Sequence, residues 1–523
     1  MHLTGQSIIG ASRATASGGV FYAMNARTGE RLEPAFHSAS DRDVDEAVAI
    51  AAAASAGYGA LSRGQRAEFL REIASQLEAL GNVLIERVVL ETALAEARVR
   101  GELDRAVNQF RFFAGILDEG SWVDARIDTG DPKRKPAPKP DLRSMLRTLG
   151  PVAVFCAANF PLAFSVVGGD TASALAAGNP VVVNAHSAHP GTAEMCGVAI
   201  QAAAHRTLMP DGVFSLLISQ GYRVGQLLMA HSQIKAAAFT GSRKGGMALG
   251  EIARARRVPI PFYAEMSGVN PVFVLPHAMA QKGDEIVAGL QASVTGSAGQ
   301  LCTKPGILVV EEGRAGDLLV IALGRRIGGT KPVPMLNAAI LENYRLLIEA
   351  RAHDERVRRV EQAAAGASGG AALFETDAET YLANPDLAAE VFGPAALVVR
   401  YRSIEQALEI AAMEGNLTGT IHTASGDEED GARLAVALEA HAGRILFGGY
   451  PTGVEVCQAM VHGGPFPATA DGRTTSVGGR AIERFARPVC FQDFPAALLP
   501  EELRPGNPAG VWRMVNGERT MFE

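Results

Sequence analysis

The sequence predicts an α/β protein with two or more domains, and two observations support that prediction. The chain has 523 residues, more than a single hydrophobic core ordinarily organises. Between residues 151 and 276, short runs rich in β-branched residues alternate with helix-like stretches, and a second series of such runs follows residue 306. Because this alternation is typical of βαβ units, we expect mostly parallel sheets connected by helices.

The first long stretch, from about residue 40 to 118, has a helical pattern. Ser40 with Asp43, and Ser62 with Gln65, have the spacing of a capping box, so a helix is predicted to begin after each serine. Apolar residues then recur at three- and four-residue steps and predict one buried stripe on the second helix: Phe69, Leu70, Ile73, Leu77 and Leu80.

A proline-rich segment, DPKRKPAPKPD at 131–141, separates these helices from the first series of strands. It contains four prolines and four basic residues. Proline fixes φ and removes a backbone donor, which excludes both a regular helix and a central strand. We expect a solvated loop or an extended excursion, and the alternative interpretation of the basic run is a nuclear signal or a contact for an anionic partner.

Two series of strands are predicted, one for each of two α/β domains. The strand candidates of the first series are 151–157, 180–185, 212–218, 235–241 and 271–276. Those of the second series are 307–312, 396–401, 419–424 and 443–449.

Composition and charge restrict the class of function. The net charge of −7 argues against nucleic acid as the main partner. No signal peptide or membrane span is predicted, because the N-terminus lacks a basic start with an apolar core, and Asn159 and Pro161 interrupt the most apolar stretch. Five scattered cysteines without a CxxC pair indicate free thiols in a reducing cytoplasm, with neither a disulfide framework nor a zinc site.

Cys302 lies in GQLCTKPG, residues 299–306, among small, polar and turn-forming residues. A cysteine that packs as a small hydrophobe is expected among aliphatic side chains, so this placement indicates a reactive thiol. Taken alone, the local sequence leaves an inert buried thiol as the alternative.

Several other segments accompany GQLCTKPG in a fixed order. They are AANFPLAF at 157–164, FTGSRKGG at 239–246, AEMSGVNP at 264–271 and EVFGP at 390–394. In order and spacing these motifs resemble those of the NAD(P)-dependent aldehyde dehydrogenases, over nearly the whole chain. Three C-terminal segments resemble the branch that oxidises 2-oxoglutarate semialdehyde (2,5-dioxopentanoate), a branch related to bacterial NADP-dependent fatty aldehyde dehydrogenases: 451–456, 460–469 and 473–492.

The resemblance implies a fold of three parts. A Rossmann-like NAD(P)-binding domain would comprise residues 1–120 and 148–262, and an α/β catalytic domain with Cys302 would comprise residues 263–460. A small β arm, residues 121–147 and 486–500, would be exchanged between subunits. A homodimer or homotetramer is therefore expected.

It also implies three catalytic residues. Cys302 would be the nucleophile that adds to the aldehyde carbon, giving a thiohemiacetal and, after hydride loss, a thioester. Asn159 and the backbone N–H of Cys302 would stabilise the oxyanion, and Glu265 would activate the hydrolytic water. The apolar neighbours of Glu265 predict partial burial and a raised pKa. Taken alone, Asn159 would be a turn or cap residue and Glu265 a surface residue.

The implied cofactor is NADP or NAD, and the matching positions are Asn184, Ser187, Gly221, Gly225, Gly241, Ser242, Gly246, Glu390 and Phe392. FTGSRKGG would hold the pyrophosphate at a helix N-terminus, while Glu390 and Phe392 would hold and pack against the nicotinamide ribose. The family usually has Lys at the position of Asn184, and NAD-preferring members often have Glu at that of Ser187. Because Ser187 does not repel a 2′-phosphate, the sequence slightly favours NADP. The sequence offers three candidates to compensate for the missing lysine: His186, His189 and Arg206.

Three further departures from the family pattern fall near the expected aldehyde tunnel: Cys156, Gly448 and Tyr450. They leave a medium- or long-chain aldehyde, or another semialdehyde, as alternative substrates. Two other classes of function stay open. One is a scaffold-retaining homologue with weak redox turnover, and the other is a thioesterase or esterase that uses only Cys302 and Glu265.

Overall fold

The computed structural model describes residues 2–16, 18–266, 268–364 and 368–522. The helices are α1 (Asp41–Ala60), α2 (Arg63–Thr92), α3 (Glu96–Glu119), α4 (Gly169–Ala176), α5 (Pro190–Arg206), α6 (Arg223–Ala230), α7 (Arg243–Ala255), α8 (Pro276–Thr295), α9 (Arg314–Gly328), α10 (Ala338–Ala352), α11 (Ala378–Ala383), α12 (Ile404–Ala411) and α13 (Glu428–Glu439). The strands are β1 (Ile8–Ile9), β2 (Ser12–Arg13), β3 (Val20–Met24), β4 (Arg31–His37), β5 (Ala125–Asp128), β6 (Leu142–Thr148), β7 (Val152–Phe155), β8 (Val181–Asn184), β9 (Phe214–Leu217), β10 (Ala236–Thr240), β11 (Phe262–Glu265), β12 (Val272–Val274), β13 (Ile307–Glu311), β14 (Arg358–Gln362), β15 (Ala372–Asp377), β16 (Ala395–Tyr401), β17 (Asn416–His422), β18 (Ala442–Phe447), β19 (Ala486–Gln492), β20 (Arg513–Val515) and β21 (Glu518–Thr520).

Both predicted capping boxes are present. The Asp43 N–H donates to Ser40 Oγ (3.3 Å) while the Ser40 N–H donates to Asp43 Oδ2 (2.7 Å), and Ser62 with Gln65 repeats the arrangement. Each cap stabilises the start of its helix by about 1 kcal/mol. The predicted stripe of α2 is also confirmed, because its apolar residues pack into the largest hydrophobic core, with α3 beside them.

The first sheet has the strand order β11-β10-β7-β8-β9-β1-β2. Its strands from β7 to β11 are parallel, and β1 is antiparallel to β9. Four of the five strands predicted for the first series lie here. The carboxyl ends of the parallel strands therefore meet at one edge, which is where ligands bind in open α/β sheets.

The second sheet has the order β14-β15-β16-β13-β12-β17-β18 and is parallel except for β14. It contains all four strands predicted for the second series. The strand predicted at 271–276 lies at the centre of this sheet rather than in the first, because β12 pairs with β13 and β17. The left-handed backbone of Asn270 (φ 46°) turns the chain just before β12.

A third sheet joins the two segments predicted to form the arm, in the order β19-β6-β5-β20-β21. Strand β19 pairs with β6 along its whole length. The two C-terminal strands extend this sheet, which the sequence did not indicate. The segment 131–141 is an exposed loop between β5 and β6, as predicted, closed by a bridge between Asp131 and Lys139.

The sheets place the change from the first α/β unit to the second between residues 265 and 272, because β11 belongs to the first sheet and β12 to the second. The chain returns to the first core at 479–485, where Ala481, Ile482 and Phe485 are buried. The domain limits drawn from the sequence stay a prediction. Among the described residues, no helix has the length and apolar character needed to cross a bilayer.

Candidate active site

Cys302, Glu265 and His462 come together between the first two sheets. Glu265 ends β11, Cys302 lies in the loop between α8 and β13, and His462 follows β18. His462 Nε2 is 2.8 Å from Glu265 Oε1 and 3.6 Å from Cys302 Sγ. The fold therefore places a thiol beside a carboxylate and an imidazole, and of the three only His462 was missed in the sequence.

Glu265 is buried, with 4% of its surface exposed, and it is held from both sides. Ser476 Oγ donates to Glu265 Oε2 at 3.1 Å, opposite the contact with His462. Burial raises the pKa of Glu265, but the charge and hydrogen bond of His462, with hydrogen bonds from Cys302 and Ser476, outweigh it and hold the pKa below its ordinary value. The predicted rise in pKa is therefore wrong, and Glu265 is a carboxylate at neutral pH.

The thiol of Cys302 has the opposite shift. Loss of solvent around Sγ raises its pKa well above the ordinary value, and the charges of Glu265 and Glu390 add to that effect, while Arg105 opposes it. At neutral pH the thiol is consequently protonated and donates to Glu265. A nucleophilic thiolate forms when this proton moves to the neighbouring base.

The Cys302 loop is fixed by its backbone. Asn270 Nδ2 donates to the carbonyls of Cys302 (2.8 Å) and Lys304 (3.2 Å). Gly299, with φ 64°, packs directly on the EVFGP segment, and a Cβ there would lie 2.2 Å from the carbonyl carbon of Gly393. Only glycine permits both the left-handed backbone and this close approach.

Asn159 reaches the same loop from the end of β7. Its Nδ2 donates to the Gln300 carbonyl at 2.9 Å, and Arg98 Nη2 donates to the Asn159 carbonyl at 2.6 Å. An amide nitrogen carries two hydrogens, so the bond to Gln300 orients the group and leaves one hydrogen for another acceptor.

The predicted cofactor residues of the first unit lie at the carboxyl edge of the first sheet. Asn184 ends β8, and its Oδ1 accepts from Ser219 Oγ at 3.2 Å. Ser187 is exposed in the next loop. Gly221, with φ 83°, lies in the turn before α6, and Gly225 is buried in the first turn of that helix.

The turn from β10 into α7 provides the best fit for a pyrophosphate. Ser242 caps α7 by accepting from the Gly245 N–H (3.2 Å), and the Gly241 N–H donates to the Glu265 carbonyl (3.1 Å). Gly246 packs in the second turn of α7 against Met266. Beside this turn, the buried Thr240 Oγ1 has no hydrogen-bond partner among the described residues. An unsatisfied hydroxyl next to a helix N-terminus fits an anionic ligand group such as a dinucleotide phosphate.

Lys304 is a second residue that sequence reasoning missed. It is 2% exposed, and its Nζ donates to the carbonyls of Ala395 (2.6 Å) and Val391 (3.2 Å). Burial lowers the pKa of Lys304 to about 8, and the nearby carboxylate of Glu390 opposes that shift. Phe392 therefore lies between Val391 and Ala395, whose carbonyls accept hydrogen bonds from Lys304. The available signal was a lysine two residues after the nucleophile, next to a strand-like run.

We predict that Lys304→Met lowers the free energy of unfolding by about 2 kcal/mol or more, because two buried carbonyls lose their donor. It should also raise the KM for the cofactor, since Glu390 and Phe392 belong to the segment that Lys304 binds. Denaturant unfolding and cofactor titration in the steady state measure the two effects. The matched control is Lys282→Met, since Lys282 is exposed and donates to the Thr423 carbonyl. Equal effects of the two substitutions would contradict the prediction.

The cations considered as replacements for the missing lysine do not serve that purpose. Burial, followed by the neighbouring His189, lowers the pKa of His186 to about 3, and burial also lowers the pKa of His189, so both rings are neutral. Arg206 ends α5, a helix about 25 Å long, and pairs there with Glu72 at 2.6 Å. It therefore lies at the opposite end of α5 from Asn184.

The three departures near the expected tunnel have different surroundings. Cys156 is buried in the first core, and burial raises the pKa of its thiol to about 12. Gly448 is in a left-handed turn (φ 66°). The Tyr450 hydroxyl donates to the Ile286 carbonyl (3.1 Å), which packs this side chain against α8.

All five cysteines are unpaired, in agreement with the expectation of free thiols. The side-chain ligand atoms of Glu265, Cys302 and His462 lie within 4.8 Å of one another. Carboxylate, thiolate and imidazole are also zinc ligands. The sequence expectation of no zinc site therefore stays a prediction.

An α/β fold that brings a thiol, a carboxylate and an imidazole together fits an oxidoreductase that acts on aldehydes. The chain belongs to the aldehyde dehydrogenase family, whose sequence profile matches residues 15–333. Enzymes of this family use NAD(P) and act on small-molecule aldehydes.

Two curated relatives match almost the whole chain. Alpha-ketoglutaric semialdehyde dehydrogenase 2 of Azospirillum brasilense is 47% identical, and the match covers 99% of this chain and 100% of that one. Alpha-ketoglutaric semialdehyde dehydrogenase of Acinetobacter baylyi is 43% identical and covers 99% of each chain. Among solved structures, lactaldehyde dehydrogenase from Escherichia coli has a TM-score of 0.80 at 20% identity, covering 93% of this chain and 98% of that chain. This last similarity shows the fold alone.

Proposed function

We propose that this protein oxidises 2-oxoglutarate semialdehyde to 2-oxoglutarate with NAD(P)⁺ and water. The observation that carries the proposal is the contact of Cys302 with Glu265 and His462. The choice of substrate is supported by the names of the two full-length relatives.

In the first step the Cys302 sulfur bonds to the aldehyde carbon. The thiol proton moves to Glu265, and the electron pair of the C=O bond becomes an oxyanion. The free hydrogen of the Asn159 amide and the Cys302 N–H stabilise that oxyanion. A neutral amide suits this role because a fixed cation would oppose the later departure of hydride.

When bound, NAD(P)⁺ supplies the acceptor for the hydride of the aldehyde carbon, which leaves a thioester on Cys302. Glu265 first releases the thiol proton to solvent and then takes a proton from water, and the hydroxide attacks the thioester carbon. The C–S bond breaks, the acid leaves, and Glu265 returns its proton to the Cys302 thiolate. His462 holds Glu265 in place and lies close enough to Cys302 to stabilise the leaving thiolate. The sum is aldehyde, NAD(P)⁺ and water giving acid, NAD(P)H and a proton.

For the cofactor, we propose a slight preference for NADP. Ser187 is exposed and carries no charge to repel a 2′-phosphate. Because Asn184 replaces a lysine and the nearby His186 and His189 are neutral, we expect the preference to be small. The ratio of kcat/KM for NADP to that for NAD tests this, and a ratio well below one would contradict it.

We also propose that the third sheet mediates a homodimer or homotetramer. Strand β19 lies at the edge of that sheet and is largely exposed, and such an edge can pair with another chain. Light scattering at micromolar concentration tests the assembly. A monodisperse monomer would contradict it.

The experiment for the substrate is steady-state kinetics with 2-oxoglutarate semialdehyde, glutarate-type semialdehydes and medium-chain aldehydes, each with NAD and NADP and without coenzyme A. We expect the highest kcat/KM for 2-oxoglutarate semialdehyde. A higher value for medium-chain aldehydes would contradict the substrate assignment. Absence of turnover across the panel would favour a non-catalytic scaffold, and ester hydrolysis without cofactor or aldehyde oxidation would favour a thioesterase.

The oxyanion role of Asn159 predicts a specific kinetic loss. Asn159→Ala should lower kcat about 100-fold, because one preorganised donor is removed from the transition state. Steady-state kinetics measures it, with Asn108→Ala, an exposed position of α3, as the control. An unchanged kcat in Asn159→Ala would show that the amide does not contact the oxyanion.

A further inference from the structure

One face of α3 carries two arginines toward the catalytic residues. Arg98 and Arg105 are seven residues apart, which places them on the same side of a helix. The Arg98 guanidinium lies 4.9 Å from the ring centre of Phe160, and the Arg105 guanidinium lies 5.1 Å from that of Phe164. The Phe164 ring is in turn 5.7 Å from the ring of His462. Arg105 is therefore one aromatic ring away from the side chain that contacts both Cys302 and Glu265.

Arg105 has unused hydrogen-bonding capacity on one edge. Its Nε and Nη2 atoms are buried and have no hydrogen-bond partner among the described residues. These two nitrogens form the side of the guanidinium that binds a carboxylate through two parallel hydrogen bonds. Buried donors are almost always paired, because an unpaired one retains the full cost of its lost hydration. This edge can therefore bind an acceptor that enters the site.

The charges around Arg105 indicate the sign of that acceptor. Glu102 lies between the two arginines on α3, and its Oε1 accepts from the backbone N–H groups of Leu162 (2.8 Å) and Ala163 (3.0 Å). Its Oε2 is 4.0 Å from Arg98 Nη2. Two guanidinium groups and one carboxylate give this cluster a net charge of one positive unit. The site is thus suited to one further anion.

Other carboxylates influence Arg105 without occupying this edge. Burial lowers the pKa of Arg105, and the charges of Glu102, Cys302, Glu265 and Glu455 oppose the shift. Glu455 is exposed, and its Oε1 accepts from the Val456 N–H at 3.2 Å. Glu265 is engaged by His462 and Ser476. Arg105 is connected to the reacting sulfur through the contacts of Phe164 and His462.

We infer that the Nε–Nη2 edge of Arg105 binds the carboxylate of the substrate while the aldehyde carbon lies at Cys302 Sγ. This inference rests on the proposed function and deepens it, because it names the residue that selects aldehydes with a distal carboxylate. In 2-oxoglutarate semialdehyde, four carbon–carbon bonds separate the two ends, a span of about 5 Å when extended. Arg98 contributes a second positive charge to the same subsite.

The selection follows from the cost of burying an unpaired cation. A substrate carboxylate pairs with the Arg105 edge and neutralises the cluster, whereas an uncharged aldehyde of equal length leaves that edge unsatisfied. The product 2-oxoglutarate retains the same carboxylate, so the Nε–Nη2 edge of Arg105 should also bind the product.

The test compares 2-oxoglutarate semialdehyde with pentanal, an uncharged aldehyde of the same chain length, in wild type, Arg105→Leu and Arg105→Lys. Arg105→Leu should lower kcat/KM for the semialdehyde about 100-fold or more, and it should not lower that for pentanal, because the unpaired cation is removed. Arg105→Lys should give an intermediate loss of kcat/KM for the semialdehyde, because an ammonium retains the charge but lacks the two parallel N–H donors of a guanidinium. Arg100→Leu, on the exposed side of α3, is the matched control and should leave both values unchanged.

Calorimetric titration of the cofactor-free full-length chain with 2-oxoglutarate gives a readout that does not depend on turnover. Arg105→Leu should weaken this binding, and Arg105→Lys, which retains the positive charge, should weaken it less. Equal loss of kcat/KM for both aldehydes, or wild-type affinity of Arg105→Leu for 2-oxoglutarate, would overturn the assignment of Arg105 as the residue that binds the substrate carboxylate. A wild-type preference for pentanal would instead overturn the proposed substrate, so the two failures are distinguishable.

Discussion

Cys302→Ala should lower aldehyde oxidation by about 10⁴-fold or more, the largest loss expected from any single substitution in this chain. The thiol forms the covalent bond in the proposed mechanism, and neither Glu265 nor His462 replaces that bond. Progress curves of NAD(P)H formation measure the rate. Cofactor binding, measured by calorimetry, should be retained, because the cofactor-edge residues of the first sheet are untouched.

Cys490→Ala is the control for this substitution. Cys490 is an exposed, unpaired thiol on β19 and should be dispensable for turnover. Full dehydrogenase activity in Cys302→Ala would refute the catalytic assignment, whichever substrate is used.

Glu265→Gln should lower steady-state turnover by about 10³-fold, because general-base catalysis of thioester hydrolysis is lost. The first turnover should be affected less. Without the carboxylate, the pKa of the Cys302 thiol falls, and His462 Nε2, 3.6 Å from Sγ, is released from Glu265 to accept the thiol proton. We therefore expect a burst of NAD(P)H followed by a slow phase in stopped-flow measurements.

Glu265→Gln should also shift the pH dependence of Cys302 alkylation in a known direction. The Glu265 charge and hydrogen bond raise the pKa of the Cys302 thiol, so removing them should move the midpoint of the alkylation rate by iodoacetamide to lower pH. Glu439→Gln, an exposed position at the end of α13, serves as the control and should leave the midpoint unchanged. A midpoint that rises in Glu265→Gln, or a first turnover as slow as the later ones, would contradict this account.

The sequence predicted well those features that depend on local pattern. Capping boxes at Ser40 and Ser62 are short-range hydrogen-bond arrangements, and both helix starts are confirmed. The strand β11 was not predicted because FYAE contains no β-branched residue and only its last two residues are buried. The C-terminal strands β20 (RMV) and β21 (ERT) gave no signal because each combines a single β-branched residue with one or more charged ones.

The site was only partly predictable, because its residues meet through the tertiary fold. Ordered motifs identified Cys302, Glu265 and Asn159. His462 is 160 residues from Cys302, and although it lies in the segment 460–469, the resemblance of that segment assigned it no role. Since His462 was missed, the pKa of Glu265 was predicted to rise when it in fact falls. Arg105 was not predicted either, because its proposed role follows from an unpaired guanidinium edge that only the tertiary structure shows.

The most direct test of the central claim is acid quenching of Glu265→Gln after one turnover with 2-oxoglutarate semialdehyde and NAD(P)⁺, followed by peptide mass spectrometry. The mechanism predicts that the peptide with Cys302 gains the mass of 2-oxoglutarate less one water. Omission of the cofactor should abolish this acyl adduct, because the thioester forms only after hydride transfer. An unmodified Cys302 peptide despite NAD(P)H formation, or the adduct on another residue, would contradict the account.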